Sequence, residues 1–352
     1  MTPRLLVVTS VHPSDDPRIR EKHIRTLAGA FDVTYASKPP GPSDQTGLRW
    51  RSLRGGRIRR WLAALRLMLT ARADVIAFHD PELIPAGILA RLIRRIPVVF
   101  DLHENVPAQM LTKASLPRLL RFPLSVATRF WITWADRTLD VTLAEDGYRS
   151  LFRSSPPTFA NYPDTGSFPE PTTGPRSGII YVGDVTEQRG ATTLLEAAAA
   201  SRETTITYVG RCSEPLQSRL LGRSSELGVE ARLLGWKPHP EAMAIAASAR
   251  VGVSPLHDVP NYRHSLPTKT LEYLALGTPV VASDLPGTGS IIGALPGVRL
   301  VPPGDVEALS AAIDSVEEDM AGAALAGAAE VRRRFQWPAA AVTDFYLSLV
   351  DD

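Results

Sequence analysis

The chain has 352 residues, of which 44% are hydrophobic and 22% charged, and it contains a single cysteine, Cys212. This length allows two domains of ordinary size, and one cysteine excludes a framework of internal disulfides. The sequence contains no run of about 18 apolar residues, so no transmembrane helix is predicted. No cluster of histidine and cysteine residues has zinc-site spacing. The composition therefore predicts a globular protein of a reducing compartment.

The net charge of +2 conceals an asymmetry between the two halves. Residues 1–160 hold 24 basic and 14 acidic side chains, whereas residues 161–352 hold 15 and 23. Positive charge concentrates in two acid-free stretches, between Asp44 and Asp74 and between Glu104 and Asp136. The second stretch mixes basic and aromatic residues, namely Lys113, Arg118, Arg121 and Arg129 with Phe122, Phe130, Trp131 and Trp134. This mixture suits a face lying on anionic lipid, or a solvated helix with a packed aromatic side. Nucleic acid is not an expected partner, because no binding motif accompanies the charge.

Strands alternate with helices in the first half of the chain. Apolar runs predict five strands, at 5–9, 31–36, 73–79, 96–101 and 139–143, and periodicity predicts helices at 18–29, 57–71 and 83–93. Such alternation is typical of a parallel sheet wrapped by helices, in which ligands bind at the carboxyl ends of the strands. We therefore expect a first domain over residues 1–164.

Polar loops follow three of these strands at one expected edge. They are His12-Pro13-Ser14-Asp15-Asp16-Pro17-Arg18, His79-Asp80-Pro81-Glu82 and Asp101-Leu102-His103-Glu104-Asn105. Each loop alone is explained by helix capping, for example by Asp16 or Asp80. Together they predict a wall that meets an acceptor, formed by Asp16, Arg18, His79, Asp80, Glu82 and Glu104.

The second half repeats the alternation after a segment rich in proline and glycine. That segment, 165–176, has the composition of an interdomain linker, and a second domain is expected over 177–334. Predicted strands lie at 177–183, 204–209, 231–236, 250–255, 280–282 and 298–301, with helices at 192–201, 215–227 and 241–249 between them. Apolar residues at helical spacing predict a closing amphipathic helix within 335–352.

The segment 263–284 has the pattern of a loop, a helix and a buried strand. Pro267 suits a first helical turn, Gly277 a helix end, and Val280-Val281-Ala282 a strand of a parallel sheet. Glu272 lies near the start of this helix, where N–H groups and the helix dipole favour anions. A carboxylate beside open N–H groups suits a ribose together with a diphosphate.

This segment resembles the retaining GT-B glycosyltransferases of family 4, also called glycosyl transferases group 1. Their pattern is E-x7-E, followed by a small residue, glycine and x-Pro-Val-Val-Ala. Glu272 matches the second glutamate, which in the family binds the ribose of the donor. His264 stands where the first glutamate contacts the donor sugar. The run H-S-L-P-T-K-x-x-E-Y is similar to that of surface-polysaccharide members.

Two further segments carry the resemblance. Tyr181 to Gly190 is similar to the family's Y-V-G-R-x4-K-G loop, whose Arg and Lys grip the donor diphosphate. Arg189 takes the place of that Lys, Asp184 takes the place of that Arg, and Lys269 is the expected substitute, although a surface lysine without a role is the alternative. His103 matches a histidine that lies near the donor sugar. Gly190 and the helix start are further expected donor contacts, the latter through Ser265, Leu266, Pro267 and Thr268.

The resemblance implies two facing Rossmann-like domains of the GT-B fold, with a final helix over 335–352 that returns to the first domain. It implies a retaining transfer of sugar from a nucleotide-diphospho sugar to a hydroxyl of a glycan, lipid-linked or small-molecule acceptor, with His103 and His264 as catalytic residues. No cofactor and no metal are expected. The location expected is the cytoplasm, with contact to the inner membrane face. Two alternatives stay open, a nucleotide-sugar 2-epimerase and a degenerate nucleotide-binding partner that activates another protein.

Overall fold

The computed structural model describes residues 2–42, 46, 48–112, 116–171, 174–316 and 318–351. Asp44, Lys113 and two threonines of the expected linker, at 172–173, lie outside the described residues. Contacts divide the chain into two compact units. The first unit contains Met1–Asn161 with Trp337–Asp352, and the second unit contains Tyr162–Gln336.

The first unit is built on a six-stranded parallel sheet with the strand order β3-β2-β1-β4-β5-β6. Its strands are β1 Arg4–Val8, β2 Asp32–Ser37, β3 Leu48–Ser52, β4 Val75–Phe78, β5 Val98–Leu102 and β6 Asp140–Leu143. The five predicted strands are confirmed, and β3 was missed. Because β3 is an edge strand that pairs with β2 alone, its sequence Leu-Arg-Trp-Arg-Ser carries charges rather than an apolar run.

Helices connect these strands. A π-helical segment, Pro17–Ile24, leads into α1 Arg25–Leu27, and it is followed by α2 Arg57–Thr70, α3 Ile84–Arg94, α4 Val106–Thr112 and α5 Arg118–Thr138. The predicted helices at 18–29, 57–71 and 83–93 are therefore confirmed, the first with a π-helical start. The helices α4 and α5 contain the mixed basic and aromatic residues of the second acid-free stretch, apart from Lys113.

The second unit has its own six-stranded parallel sheet, in the order β12-β11-β10-β7-β8-β9. All six predicted strands are confirmed, as β7 Ile179–Val182, β8 Thr205–Val209, β9 Glu230–Leu233, β10 Val251–Ser254, β11 Val280–Ser283 and β12 Val298–Val301. Its helices are α6 Ala191–Ala200, α7 Glu214–Leu227, α8 His239–Ala247, α9 Thr268–Ala275, α10 Pro286–Ile292, α11 Val306–Asp314 and α12 Glu318–Arg334. The described part of the expected linker belongs to this unit, where Phe168 is buried in the core.

The last helix, α13 Ala339–Asp351, belongs to the first unit. Val342 and Tyr346 on this helix are buried in the core of that unit. The indole Nε1 of Trp337, just before the helix, donates to Thr26 Oγ1 at 2.9 Å. Among the helices of the described residues, none combines the length and the apolar character that a membrane span requires.

Candidate functional site

In the second unit, two cationic side chains converge on the end of β7. Gly183 directly follows this strand, and its φ of +125° is a conformation that residues with a Cβ rarely adopt. A Cβ at Gly183 would lie 3.3 Å from Lys269 Nζ and 3.4 Å from Arg189 Nη1. The glycine therefore leaves room for an ammonium and a guanidinium to approach the same stretch of backbone.

Neither cation is neutralised by an ion pair in the part of the chain that the structure describes. Arg189 Nε donates to Tyr262 Oη at 3.4 Å, and Lys269 Nζ lies 3.7 Å from the centroid of the Tyr181 ring. The Nζ atom is buried without a hydrogen-bond partner among the described residues. Burial, and then the charge of Arg189, lowers the pKa of Lys269 well below 10.5. Such a pair of basic groups suits an anion with several charges, such as a diphosphate.

The start of α9 is fixed beside these cations. Tyr273 Oη accepts a 2.7 Å hydrogen bond from the backbone N–H of Val182, the last residue of β7. The helix begins at Thr268. Pro267 is therefore its N-cap residue and does not lie in the first turn as predicted. Gly277, with φ of +68°, follows the helix end, as predicted. The α9 start and the β7 end are therefore held at one edge of the sheet.

Glu272 lies on the same face of α9 as Lys269, three residues further along. It is largely buried, and its Oε1 accepts from His239 Nε2 at 2.9 Å. His239 is the first residue of α8, and its ring lies against that of Phe168. Glu272, the residue predicted to bind the ribose, therefore lies one helical turn from Lys269, and His239 orients its carboxylate. No sequence signal pointed to His239 or to Tyr262.

The other predicted donor residues lie along the same edge. His264 is exposed, and a Cβ at Gly287 would come within 2.5 Å of its carbonyl carbon. Ser265 Oγ donates to the carbonyl of Tyr262 at 3.3 Å, and Leu266 packs against the core. Gly190 has φ of +77°, and a Cβ there would lie 2.0 Å from the carbonyl oxygen of Pro255. Asp184 is exposed at the end of β7.

In the first unit, Asp80 organises the loop that follows β1. Its carboxylate is buried and accepts from Thr9 Oγ1 at 2.8 Å, from the N–H groups of Ser10 and Val11, and from His12 Nδ1 at 2.6 Å. Burial alone would raise the pKa of Asp80, but the hydrogen bond with His12 holds that pKa well below 3.8. Asp80 was predicted to face an acceptor, whereas in this structure its side chain is enclosed by the loop that it holds.

Arg18 and His79 are also buried, around Asp101 at the end of β5. Arg18 donates from Nε and Nη2 to the two oxygens of Asp101, each at 2.8 Å, and His79 Nδ1 lies 3.2 Å from Oδ2. Thr142 Oγ1 adds a donor at 2.7 Å, and the Arg18 guanidinium lies over the Trp337 ring. Arg18 and His79 were predicted to meet an acceptor, but the structure makes them partners of a buried carboxylate.

The remaining acidic residues of the predicted wall are more accessible. Asp16 caps the π-helical segment by accepting from the N–H groups of Arg18 and Ile19. Glu82 accepts from Ser10 Oγ at 2.6 Å and from Arg57 Nε at 2.5 Å. Glu104 is exposed and accepts from Gln109 Nε2 at 2.8 Å.

His103 lies in the middle of this edge and contacts an imidazole that the sequence did not single out. Its Nε2 is 3.0 Å from Nε2 of His12, and its ring stacks on that of His79. His12 stands in the first polar loop, but no spacing connects it with His103, because the two residues are 91 positions apart.

One group of three side chains in the described residues has the proximity that a metal ion requires, namely His23, His79 and Asp101. Both oxygens of Asp101 already accept from the Arg18 guanidinium, which would repel a cation. The three side chains therefore do not fit a divalent ion.

Comparisons with known proteins show what this chain is similar to. The family model described as "Glycosyl transferases group 1" matches residues 176–319. Glycogen synthase of Mycobacterium tuberculosis is 31% identical, over 96% of this chain and 83% of the relative. Phosphatidyl-myo-inositol mannosyltransferase of Mycobacterium leprae is 25% identical, over 80% and 73%. The structure of HepE from Anabaena in complex with UDP-glucose superposes with a TM-score of 0.73 at 16% identity, covering 99% of both chains.

Proposed function

The chain belongs to the glycosyl transferases group 1, and on this premise we propose that it transfers a sugar, with retention of anomeric configuration, from a nucleotide-diphospho sugar held by its second unit. The protein is a glycosyltransferase with a two-domain GT-B fold. The observation that carries the proposal is the convergence of Arg189 and Lys269 on Gly183, with Glu272 one helical turn beyond Lys269.

The donor chemistry requires positive charge at the diphosphate. Negative charge develops on the leaving diphosphate, and preorganised cations and N–H groups stabilise it in the transition state. The planar guanidinium of Arg189 offers two parallel donors to phosphate oxygens, and Lys269 adds a mobile ammonium. Because Lys269 Nζ is buried in the free protein, it reaches the diphosphate by a rotamer change of its four-carbon stem. Glu272 then accepts hydrogen bonds from the ribose hydroxyls.

We propose that these groups act without a resident metal ion. Two cations beside the diphosphate supply the charge that Mg²⁺ supplies in many phosphate sites. The family resemblance makes His103 and His264 the candidate catalytic residues, and it makes the exposed side chains at the first unit's polar edge, Glu104 among them, the candidates that meet the acceptor.

Nucleotide binding is the first measurement. We expect one of UDP, GDP and dTDP, or its sugar, to stabilise the second unit in a thermal-shift assay, by about 2.7 kcal/mol at 100 times its Kd. Glu272→Ala is expected to raise that Kd by roughly 10- to 100-fold, since a hydrogen bond to a charged group is worth about 1.5–3 kcal/mol.

Glu226→Gln is the matched control, since Glu226 is an exposed glutamate of the same unit that pairs with Arg223. Equal nucleotide affinity of wild type and Glu272→Ala would contradict the ribose assignment. In a turnover assay with EDTA present, a product of retained anomeric configuration by NMR supports the proposal. Turnover without an acceptor would indicate an epimerase instead, and nucleotide binding without any turnover would indicate a partner protein.

The acceptor is the second part of the proposal. An apolar stripe runs along the solvent side of α5 at helical spacing, formed by Leu119, Phe122, Val126, Phe130 and Trp134. Leu119 and Phe122 are 90% and 70% exposed, and Arg118, Arg121 and Arg129 flank the stripe. Exposed aromatic residues among arginines fit the headgroup region of an anionic bilayer. We therefore propose a lipid-linked acceptor, reached at the cytoplasmic membrane face; one relative is named for phosphatidyl-myo-inositol, a phospholipid.

Vesicle co-sedimentation tests this surface. The protein should bind vesicles that contain phosphatidylglycerol at low salt, and binding should weaken at high salt as the charges are screened. Removing both aromatic anchors in Phe122→Ser/Phe130→Ser should lower partitioning by roughly 10²- to 10⁴-fold, since each buried Phe contributes about 1.5–3 kcal/mol. Leu221→Ser, at an exposed leucine of α7, is the control. Wild-type protein that stays in the supernatant with anionic vesicles at low salt would refute the membrane face.

A further inference from the structure

The loop after β1 brings a second imidazole, that of His12, against His103. The Nε2 atoms of the two rings are 3.0 Å apart, and the rings meet edge to face with centroids 4.7 Å apart. His12 is the more accessible of the two, with 19% of its side chain exposed against 10% for His103. His12 reaches this position because Asp80 on the neighbouring strand's loop holds the backbone of residues 10 and 11.

The geometry limits where the protons of this pair can lie. A carboxylate only accepts, so His12 Nδ1, 2.6 Å from Asp80 Oδ1, carries a proton. Two lone pairs do not face each other at 3.0 Å, so one of the two Nε2 atoms carries a proton as well. Although burial alone would lower it, the bond to Asp80 raises the pKa of His12 to about 9. His12 is therefore an imidazolium at neutral pH, and both of its nitrogens donate.

We propose that His12 is a positioning residue that, anchored by Asp80, donates its Nε2–H to His103 and holds that ring in a single tautomer and orientation. His103 Nε2 is then the acceptor, and its own proton lies on Nδ1, 3.7 Å from Asp101 Oδ2. The inference rests on the proposed function, because that function makes His103 a catalytic residue. His12 thereby supplies both the orientation of the catalytic imidazole and a fixed positive charge beside it.

The charge of this pair depends on the groups that surround His12. Those that face it are Asp16, Asp80, Glu104, His79 and His103. The three carboxylates favour the charged ring, so the imidazolium is retained at neutral pH. As the pH rises through about 9, His12 loses its Nε2 proton and the hydrogen bond to His103 with it.

Side-chain NMR of the substrate-free protein tests the inference directly. Long-range ¹H–¹⁵N spectra at pH 7 should show His103 protonated on Nδ1 alone and His12 protonated on both nitrogens. In His12→Asn the shorter amide keeps a donor for Asp80 but does not reach His103. We expect His103 to become a mixture of its two tautomers in this variant. An unchanged His103 spectrum in His12→Asn would overturn the proposal.

Kinetics give the second measurement. His12→Asn should lower kcat on the order of 100-fold, as a misplacement of about 1 Å does, and leave the donor KM unchanged. The high-pH limb of the wild-type rate profile should lie near 9, and Asp80→Asn should move it to lower pH. His257→Asn is the control, because His257 Nε2 bonds Thr193 Oγ1 in the second unit. A kcat of His12→Asn equal to wild type would overturn the positioning role. If the wild type turned over no nucleotide sugar, the proposed function would fail, and the NMR result would still decide whether His12 orients His103.

Discussion

Lys269→Met is expected to lower kcat by roughly 10²- to 10³-fold, the cost of removing one preorganised charge from a transition state. The side chain of Met retains the length of the lysine stem, so the packing over Tyr181 persists while the ammonium is lost. Arg189 remains beside Gly183 and still binds the diphosphate, so the donor Kd should change much less than kcat. Steady-state kinetics with the donor that thermal shift identifies measure both effects.

Lys237→Met is the matched control, since Lys237 lies in the same unit and pairs with Glu241 at 2.8 Å. Wild-type kcat in Lys269→Met would show that Lys269 is a buried lysine without a role at the diphosphate.

The same side chain links donor binding to protons. Burial and Arg189 lower the pKa of Lys269 in the free protein, and a bound diphosphate raises it again. Between these two values binding takes up a proton, so donor affinity falls as the pH rises through that window. Calorimetry of a nucleotide sugar in buffers of different ionisation enthalpy should reveal the uptake in wild type and not in Lys269→Met.

Asp101→Asn is expected to destabilise the first unit by about 3–5 kcal/mol, because it leaves the buried guanidinium of Arg18 without its counter-charge. Although burial alone would raise it, Arg18 holds the pKa of Asp101 well below 3.8. A depressed carboxyl pKa contributes stability above the unfolded value, and that stability is lost as the pH falls through the folded value. The effect is therefore complete at pH 7.

Urea unfolding followed by tryptophan fluorescence measures this loss selectively. Five of the six tryptophans, Trp50, Trp61, Trp131, Trp134 and Trp337, belong to the first unit. Asp32→Asn is the comparison, because Asp32 forms an exposed pair with Arg49 and such pairs contribute about 0–1 kcal/mol. A loss in Asp101→Asn no greater than in Asp32→Asn would show that Arg18 finds another partner or water.

The fold and the donor site were predictable from local patterns. Eleven of the twelve strands in the described residues appear in the sequence as short apolar runs, because both faces of a parallel sheet are buried. The donor residues Arg189, Lys269 and Glu272 lie in two short motifs whose loop and helix carry them to the end of β7. Because the residues of each motif are adjacent in the chain, these candidate donor residues could be named from the sequence alone.

The polar edge of the first unit was predictable only as a region. Sequence placed His12, Asp80, Asp101 and His103 in three loops at one edge, and the strand order β1-β4-β5 confirms that these loops are neighbours. It did not indicate which polar groups are buried. Arg18 and Asp80 are residues typical of a binding surface. Each is instead buried in an ion pair with a partner about 70 or more residues away.

The sequence by itself determined the alternation of strands and helices and the short motifs that contain the candidate donor residues of the second unit, since those depend on periodicity and on local patterns. Only the tertiary structure decided that Asp80 holds His12 against His103 and that Arg18 neutralises Asp101. Pairing of parallel strands brings residues together across long stretches of chain, and the burial of a charge depends on which partner arrives beside it. The spacing of residues along one strand or helix predicts neither which strands pair nor which partner a buried charge will have.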